Sequence, residues 1–96
     1  MIPFALACVR QVTFYKRDEL TTDLICCDVV ADDAAGAVTW FCHEDASEWR
    51  EWLDNLESLD GFDPDWFSRV SQPPFGSCET IAYVRPGLLE PTAAKD

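Results

Sequence analysis

Cys26, Cys27, Cys42 and His43 are the residues of this chain whose types could do chemistry together. Two thiolates and an imidazole in one hairpin could hold zinc, and a thiol beside an imidazole could act as a nucleophile pair. The spacing speaks against both. Zinc knuckles of the Cys-x-x-Cys type let two sulfurs converge, whereas adjacent residues on a strand point to opposite faces. If Cys26 stands opposite Cys42, those two share one face, and Cys27 and His43 share the other. One face would then hold only two thiols. The remaining cysteines, Cys8 and Cys78, bring the number to five. That count is odd and shows no repeated spacing, so reduced, buried thiols are expected rather than a disulfide framework.

Other chemistry is poorly represented. His43 is the sole histidine, and a general acid–base role needs a second positioned group that no feature nominates. The acid pairs Asp32/Asp33, Glu44/Asp45 and Asp63/Asp65 read as turn and cap residues. None has the spacing of a calcium loop. There is no Gly-x-Gly-x-x-Gly, Gly-Lys-Ser, Gly-x-Ser-x-Gly or His-Glu-x-x-His. No catalytic residue and no cofactor is therefore expected.

Residues 62–75 differ in kind. Phe62, Trp66, Phe67 and Phe75 stand among Pro64, Pro73 and Pro74. These rings either plug one end of the fold or present a rigid aromatic platform to a protein partner. In the second case Trp66, Phe67 and Phe75 form the platform and Arg69 and Gln72 its polar rim.

The elements that must position these residues follow from periodicity. Residues 8–17 are rich in β-branched and aromatic types and read as a strand, with Val12 and Phe14 on one face and Thr13 and Tyr15 on the other. Residues 24–31 and 37–43 read as a hairpin around Asp32-Asp33-Ala34-Ala35-Gly36, where Gly36 can take a positive φ. Asp45 and Glu48 resemble a capping box. Trp49, Trp52, Leu53, Leu56 and Leu59 then form one apolar helical stripe that Gly61 terminates. Asp63 and Pro64 open a shorter helix through Val70, and Gln72-Pro73-Pro74 stops it. Residues 78–85 read as a last strand, with Ile81 and Tyr83 alternating with Thr80, Ala82 and Val84.

The order β-β-β-α-α-β predicts an α+β two-layer sandwich: a four-stranded antiparallel sheet with both helices on one face. Residues 1–87 form the single domain and 88–96 a tail. The uncovered sheet face is expected to carry Cys26 or Cys27, Trp40 and Tyr15. That is enough apolar material to suggest a homodimer.

At 96 residues one core is all the chain can build. No apolar run approaches the roughly 20 residues of a membrane-spanning helix. A formal charge of −11 argues against nucleic acid as a partner. Residues 18–65 hold fifteen acids against Arg50 alone. Ala5-Leu6-Ala7-Cys8 looks like the end of a lipoprotein signal, yet only seven residues precede the cysteine and Pro3 interrupts them. A strand lead-in and a cytoplasmic location are expected instead. The function these features favour is a small, acidic, non-enzymatic interaction domain whose partner is a protein. In its strongest form it is an inhibitor or immunity-type binder of a basic protein. A homodimeric domain is the second reading, and a zinc- or thiol-dependent protein the third.

Overall fold

Alternating apolar positions in three successive segments require a sheet with one face in a core, and the computed structural model has that sheet. It describes residues 2–18, 23–71 and 79–86. The strands are β1 (Val9–Asp18), β2 (Asp23–Asp33), β3 (Gly36–His43) and β4 (Thr80–Val84). They form one antiparallel sheet in the order β3-β2-β1-β4. Helices α1 (Trp49–Leu56) and α2 (Trp66–Ser71) lie between β3 and β4 in the chain. The expected α+β architecture and element order are therefore present.

Both helices cover the same sheet face. Val12 and Phe14 of β1, Ile25, Cys27, Val29 and Ala31 of β2, and Cys42 of β3 are buried against Trp52, Leu53 and Leu56 of α1 and Trp66 and Val70 of α2. Phe14, fully buried, lies at the aromatic centre. Its ring stacks on Trp66 at 3.9 Å and meets Trp49 and Phe62 edge-on, both at 6.2 Å. Phe4, ahead of a 3-10 turn over Leu6–Cys8, meets Trp52 edge-on at 5.0 Å. Lys16 points to this side too. It is buried, and its Nζ donates to the carbonyl of Ser71 at 3.0 Å. A cation from the sheet thus meets the last carbonyl of α2, where the helix dipole favours positive charge.

Several details differ from the sequence expectation. The β2–β3 pairing is shifted by one residue, so Cys27 faces Cys42 and Cys26 faces His43. The cause is the turn. β2 continues through Asp33, which pairs with Gly36, leaving a two-residue loop of Ala34 and Ala35. Asp33 Oδ1 accepts the N–H of Ala35 at 2.8 Å, and Gly36 takes φ +131°. Loop length sets hairpin register, and a one-residue change swaps the faces of the whole strand. Trp40 therefore lies opposite Val29 on the core side and packs against the core, not on the uncovered face.

Asp32, expected in the turn, is a strand residue that accepts from Arg85 at 3.0 Å and pairs with Arg10 at 3.4 Å. α1 begins at Trp49, and Glu48, not Asp45, occupies its cap position without a side-chain capping bond. Residues 44–48 instead make tight turns, with Ala46 N–H donating to the His43 carbonyl at 2.9 Å. Gly61, at φ +93°, follows the turns beyond Leu56 rather than the last helical residue. A register shift between Val12 and Thr13 interrupts the β1–β4 pairing, while β4 keeps the expected alternation over its first three residues. Thr80 and Ala82 are buried, and Ile81 is exposed on the other face. Cys78 and the 88–96 tail lie outside the described residues.

Candidate functional site

The hairpin separates the four thiol and imidazole residues by the alternation of its strands. Cys27 and Cys42, side by side, face the core and are buried. Burial pushes the Cys27 thiol up, with Cys42 beside it adding to the effect; burial and the nearby Glu48 carboxylate raise Cys42. Thiols shifted in that direction hold their protons and are poor nucleophiles. Cys26 and His43 lie on the uncovered face. The four side chains do not converge, and no group of three or more His, Cys, Asp or Glu is arranged to hold a metal among the described residues.

On the uncovered face Tyr15, Cys26 and His43 form a row across β1, β2 and β3, with Thr13, Asp28 and Phe41 in the next row. Tyr15 donates its hydroxyl proton to Asp28 Oδ1 at 3.2 Å. Burial and the Asp28 charge push the Tyr15 hydroxyl up to about 12. Arg17 sits over the Phe41 ring at 6.0 Å, and Phe41 is 47% exposed. His43 Nδ1 is buried and has no hydrogen-bond partner among the described residues.

The Tyr15 shift makes alkaline stability a direct readout of this face. An unfolded tyrosine loses its proton near pH 10, whereas folded Tyr15 keeps it to about 12. Over that interval the folded state binds more protons, so stability falls as pH rises. Cys27 and Cys42 act in the same sense. We expect tyrosinate absorbance to show one residue titrating late in the folded protein and Tyr15→Phe to remove that late step. Tyr15→Phe should also flatten the alkaline decline of the denaturation midpoint without abolishing it. Survival of the late step in the variant would refute its assignment to Tyr15.

The aromatic residues of the 62–75 segment divide. Phe62 and Trp66 are buried in the core, and Phe67 is 56% exposed. Arg69, on an exposed side of α2, pairs with Asp63. Asp63 Oδ1 also accepts the N–H of Asp65 at 2.8 Å. That bond, with the Arg69 charge, holds the Asp63 carboxyl below the usual carboxylate range. Gln72 and Phe75 lie outside the described residues.

Beside Trp66 and Phe67 a cleft of about 290 Å³ opens between the helices and the hairpin. Trp49 and Leu53 of α1, Trp66 and Phe67 of α2, and Ile25 of β2 line it with apolar surface. Trp49 and Trp66 meet edge-on at 6.5 Å, as do Trp66 and Phe67 at 5.6 Å. Two carboxylates, Glu44 and Glu57, belong to the same lining. Glu57 Oε2 accepts the indole N–H of Trp66 at 3.4 Å, and Glu44 Oε1 accepts the backbone N–H of Ile25 at 2.9 Å. Arg50 also lines the cleft, but its guanidinium pairs with Asp54 at 3.4 Å.

The sequence reading included Trp66 and Phe67 but missed Glu44, Trp49 and Glu57 as site residues. A signal was present in α1 itself: Trp49, Leu53 and Glu57 follow at four-residue steps, which places them along one side of the helix. Glu44 had no such signal, because only the tertiary fold brings the end of β3 beside α1 and α2. Compared with protein families, with curated proteins and with solved structures, the chain matches none of them.

Proposed function

We propose that this chain is a small, acidic, non-enzymatic interaction domain whose helical layer binds a basic protein. The observation that carries the reading is the distribution of carboxylates along the path from the end of β3 through α1 to the start of α2. Residues 44–65 contain nine acids, of which all but Asp63 are exposed, against Arg50 alone. Arg50 is in turn paired with Asp54. The cations of β1 and of the residue after β4 are engaged elsewhere: Arg10 and Arg85 hold Asp32, Lys16 donates to the last carbonyl of α2, and Arg17 sits over Phe41 on the other sheet face. One layer of the domain therefore presents a concentrated negative field next to an aromatic cleft. Such a field steers a positive surface into contact and repels acidic competitors.

The test is a photo-crosslinking amino acid placed at Glu51 on α1 or at Thr39 on β3, followed by reconstitution with the purified captured protein. We expect capture from Glu51, a partner with a basic surface, and an affinity that falls steeply with added salt. The pair Glu48→Lys and Glu51→Lys should lower the association rate by at least about tenfold. A partner captured only from Thr39, a salt-independent affinity, or no partner at either position would refute the assignment.

A second reading rests on the uncovered sheet face, where Phe41 and Ile81 are 47% and 51% exposed. Two copies packed through that face would cover both side chains. Sedimentation equilibrium decides it: a concentration-dependent dimer lost in Phe41→Ser supports self-association, and a monomer at all concentrations removes it.

A further inference from the structure

We infer that the cleft between α1 and α2 receives an arginine side chain projecting from the basic partner. The inference rests on the binding function proposed above and names the contact through which it acts. A volume of about 290 Å³ lies just below the range for small-ligand pockets, roughly 300–1,000 Å³. That space suits one long side chain better than a cofactor.

The lining matches the chemistry of a guanidinium, and the cation it contains, Arg50, is paired with Asp54. Phe67, which is exposed, and Trp49, which is half-buried, offer ring surfaces on which a planar cation stacks, while Trp66, already stacked on Phe14, backs them as buried lining. Glu44 and Glu57 offer carboxylate acceptors at the same opening. Each is held by one hydrogen bond from the fold, Glu57 by the Trp66 indole and Glu44 by the Ile25 amide. A carboxylate has about four lone-pair sites, so acceptor capacity remains for a ligand. Leu53 and Ile25 are buried, so the aliphatic stem of the arginine would lie along the exposed Pro64 and the half-buried Trp49 of the same lining. Lysine fits less well, because an ammonium is a strongly hydrated point charge without a planar face to stack or a fork to pair. The surrounding acids of α1 attract either cation, and the cleft supplies the discrimination.

The experiment titrates the full chain with a tetra-arginine peptide, a tetra-lysine peptide and blocked single arginine, following the tryptophan indole N–H resonances by NMR. We expect the arginine peptide to saturate and to move the Trp49 and Trp66 signals. It should bind about tenfold more tightly than the lysine peptide. Glu57→Gln should weaken it about tenfold, while its amide oxygen still accepts the Trp66 indole N–H and preserves the fold. Phe67→Ala, at an exposed position, should weaken it by about fivefold. Asp60→Asn removes one charge from the same layer outside the cleft and should weaken it by less than about twofold.

Equal losses in Glu57→Gln and Asp60→Asn, or equal binding of the two peptides, would overturn the cleft and leave the acidic-surface function standing. Blocked arginine binding as tightly as the peptide would overturn the protein partner in favour of a small guanidinium ligand. Failure of both peptides to bind at low salt would overturn the cleft and the proposed function together.

Discussion

Phe14→Ala is expected to remove about 3–5 kcal/mol of stability, which is the range for truncating a buried aromatic residue. A 96-residue domain holds only on the order of 5–15 kcal/mol, so the variant should be largely unfolded at moderate temperature. The size of the effect follows from position. Phe14 is fully buried and makes ring contacts to Trp66, Trp49 and Phe62, which come from α2, α1 and the segment between them. Removing that ring opens a cavity where sheet and both helices meet, and no single element can relax to fill it. Phe14→Leu keeps most of the volume and should cost less than half as much. Chemical denaturation of both variants checks this. A loss below about 1.5 kcal/mol in Phe14→Ala would mean that the helices are not anchored on this ring.

The same ring links stability to the proposed binding cleft. Phe14 backs Trp66, and Trp66 lines the cleft and donates to Glu57. Phe14→Leu should therefore broaden the Trp66 indole resonance and loosen arginine-peptide binding even where the domain stays folded.

Arg85→Ala is expected to cost about 2 kcal/mol, the second largest effect. At the end of β4 this guanidinium donates to three groups: the Cys8 carbonyl at 2.8 Å, the Val9 carbonyl at 3.2 Å and the Asp32 carboxylate at 3.0 Å. Hydrogen bonds involving a charged group contribute about 1.5–3 kcal/mol each when buried. Here the side chains of Arg85 and Asp32 are 31% and 41% exposed, and solvent screening lowers the total. Among the described residues β4 pairs with β1 alone, so Arg85 ties an edge strand to the start of β1 and to β2 at once. Amides of Thr80–Val84 should exchange faster in Arg85→Ala than in the parent, with smaller changes in β2 and β3. A double-mutant cycle with Asp32→Asn should show coupling of about 0.5–1 kcal/mol. Uniformly faster exchange throughout the sheet would show that Arg85 supports global stability rather than the β4 edge.

The candidate site was legible only in part. The helical stripe of Trp49, Trp52, Leu53, Leu56 and Leu59 was visible because a 3.6-residue period repeats within one local segment. Trp66 and Phe67 were visible as aromatic residues between prolines, but nothing local told which would be buried. Trp66 is drawn into the core by stacking on Phe14 of β1, 52 residues away in sequence, while Phe67 next to it is exposed. The Cys/His hairpin was misplaced by one residue because its register depended on a two-residue turn at Ala34-Ala35, whereas the Asp and Gly residues around it allowed a longer loop.

Local periodicity and composition thus determined the element order, the α+β class, the identity of the main core stripe and the acidic character of residues 44–65. Those properties are written in spacings of two to four residues, within reach of one turn of helix or one pleat of strand. Tertiary structure alone decided that Cys27 rather than Cys26 faces the helices, that Trp40 turns inward, and that Asp32 is held by Arg85. It also decided that Glu44 and Glu57 meet around an aromatic cleft. Each of these depends on the register and packing of segments distant in sequence. A shift of one residue between strands reverses every side chain while leaving the local pattern unchanged.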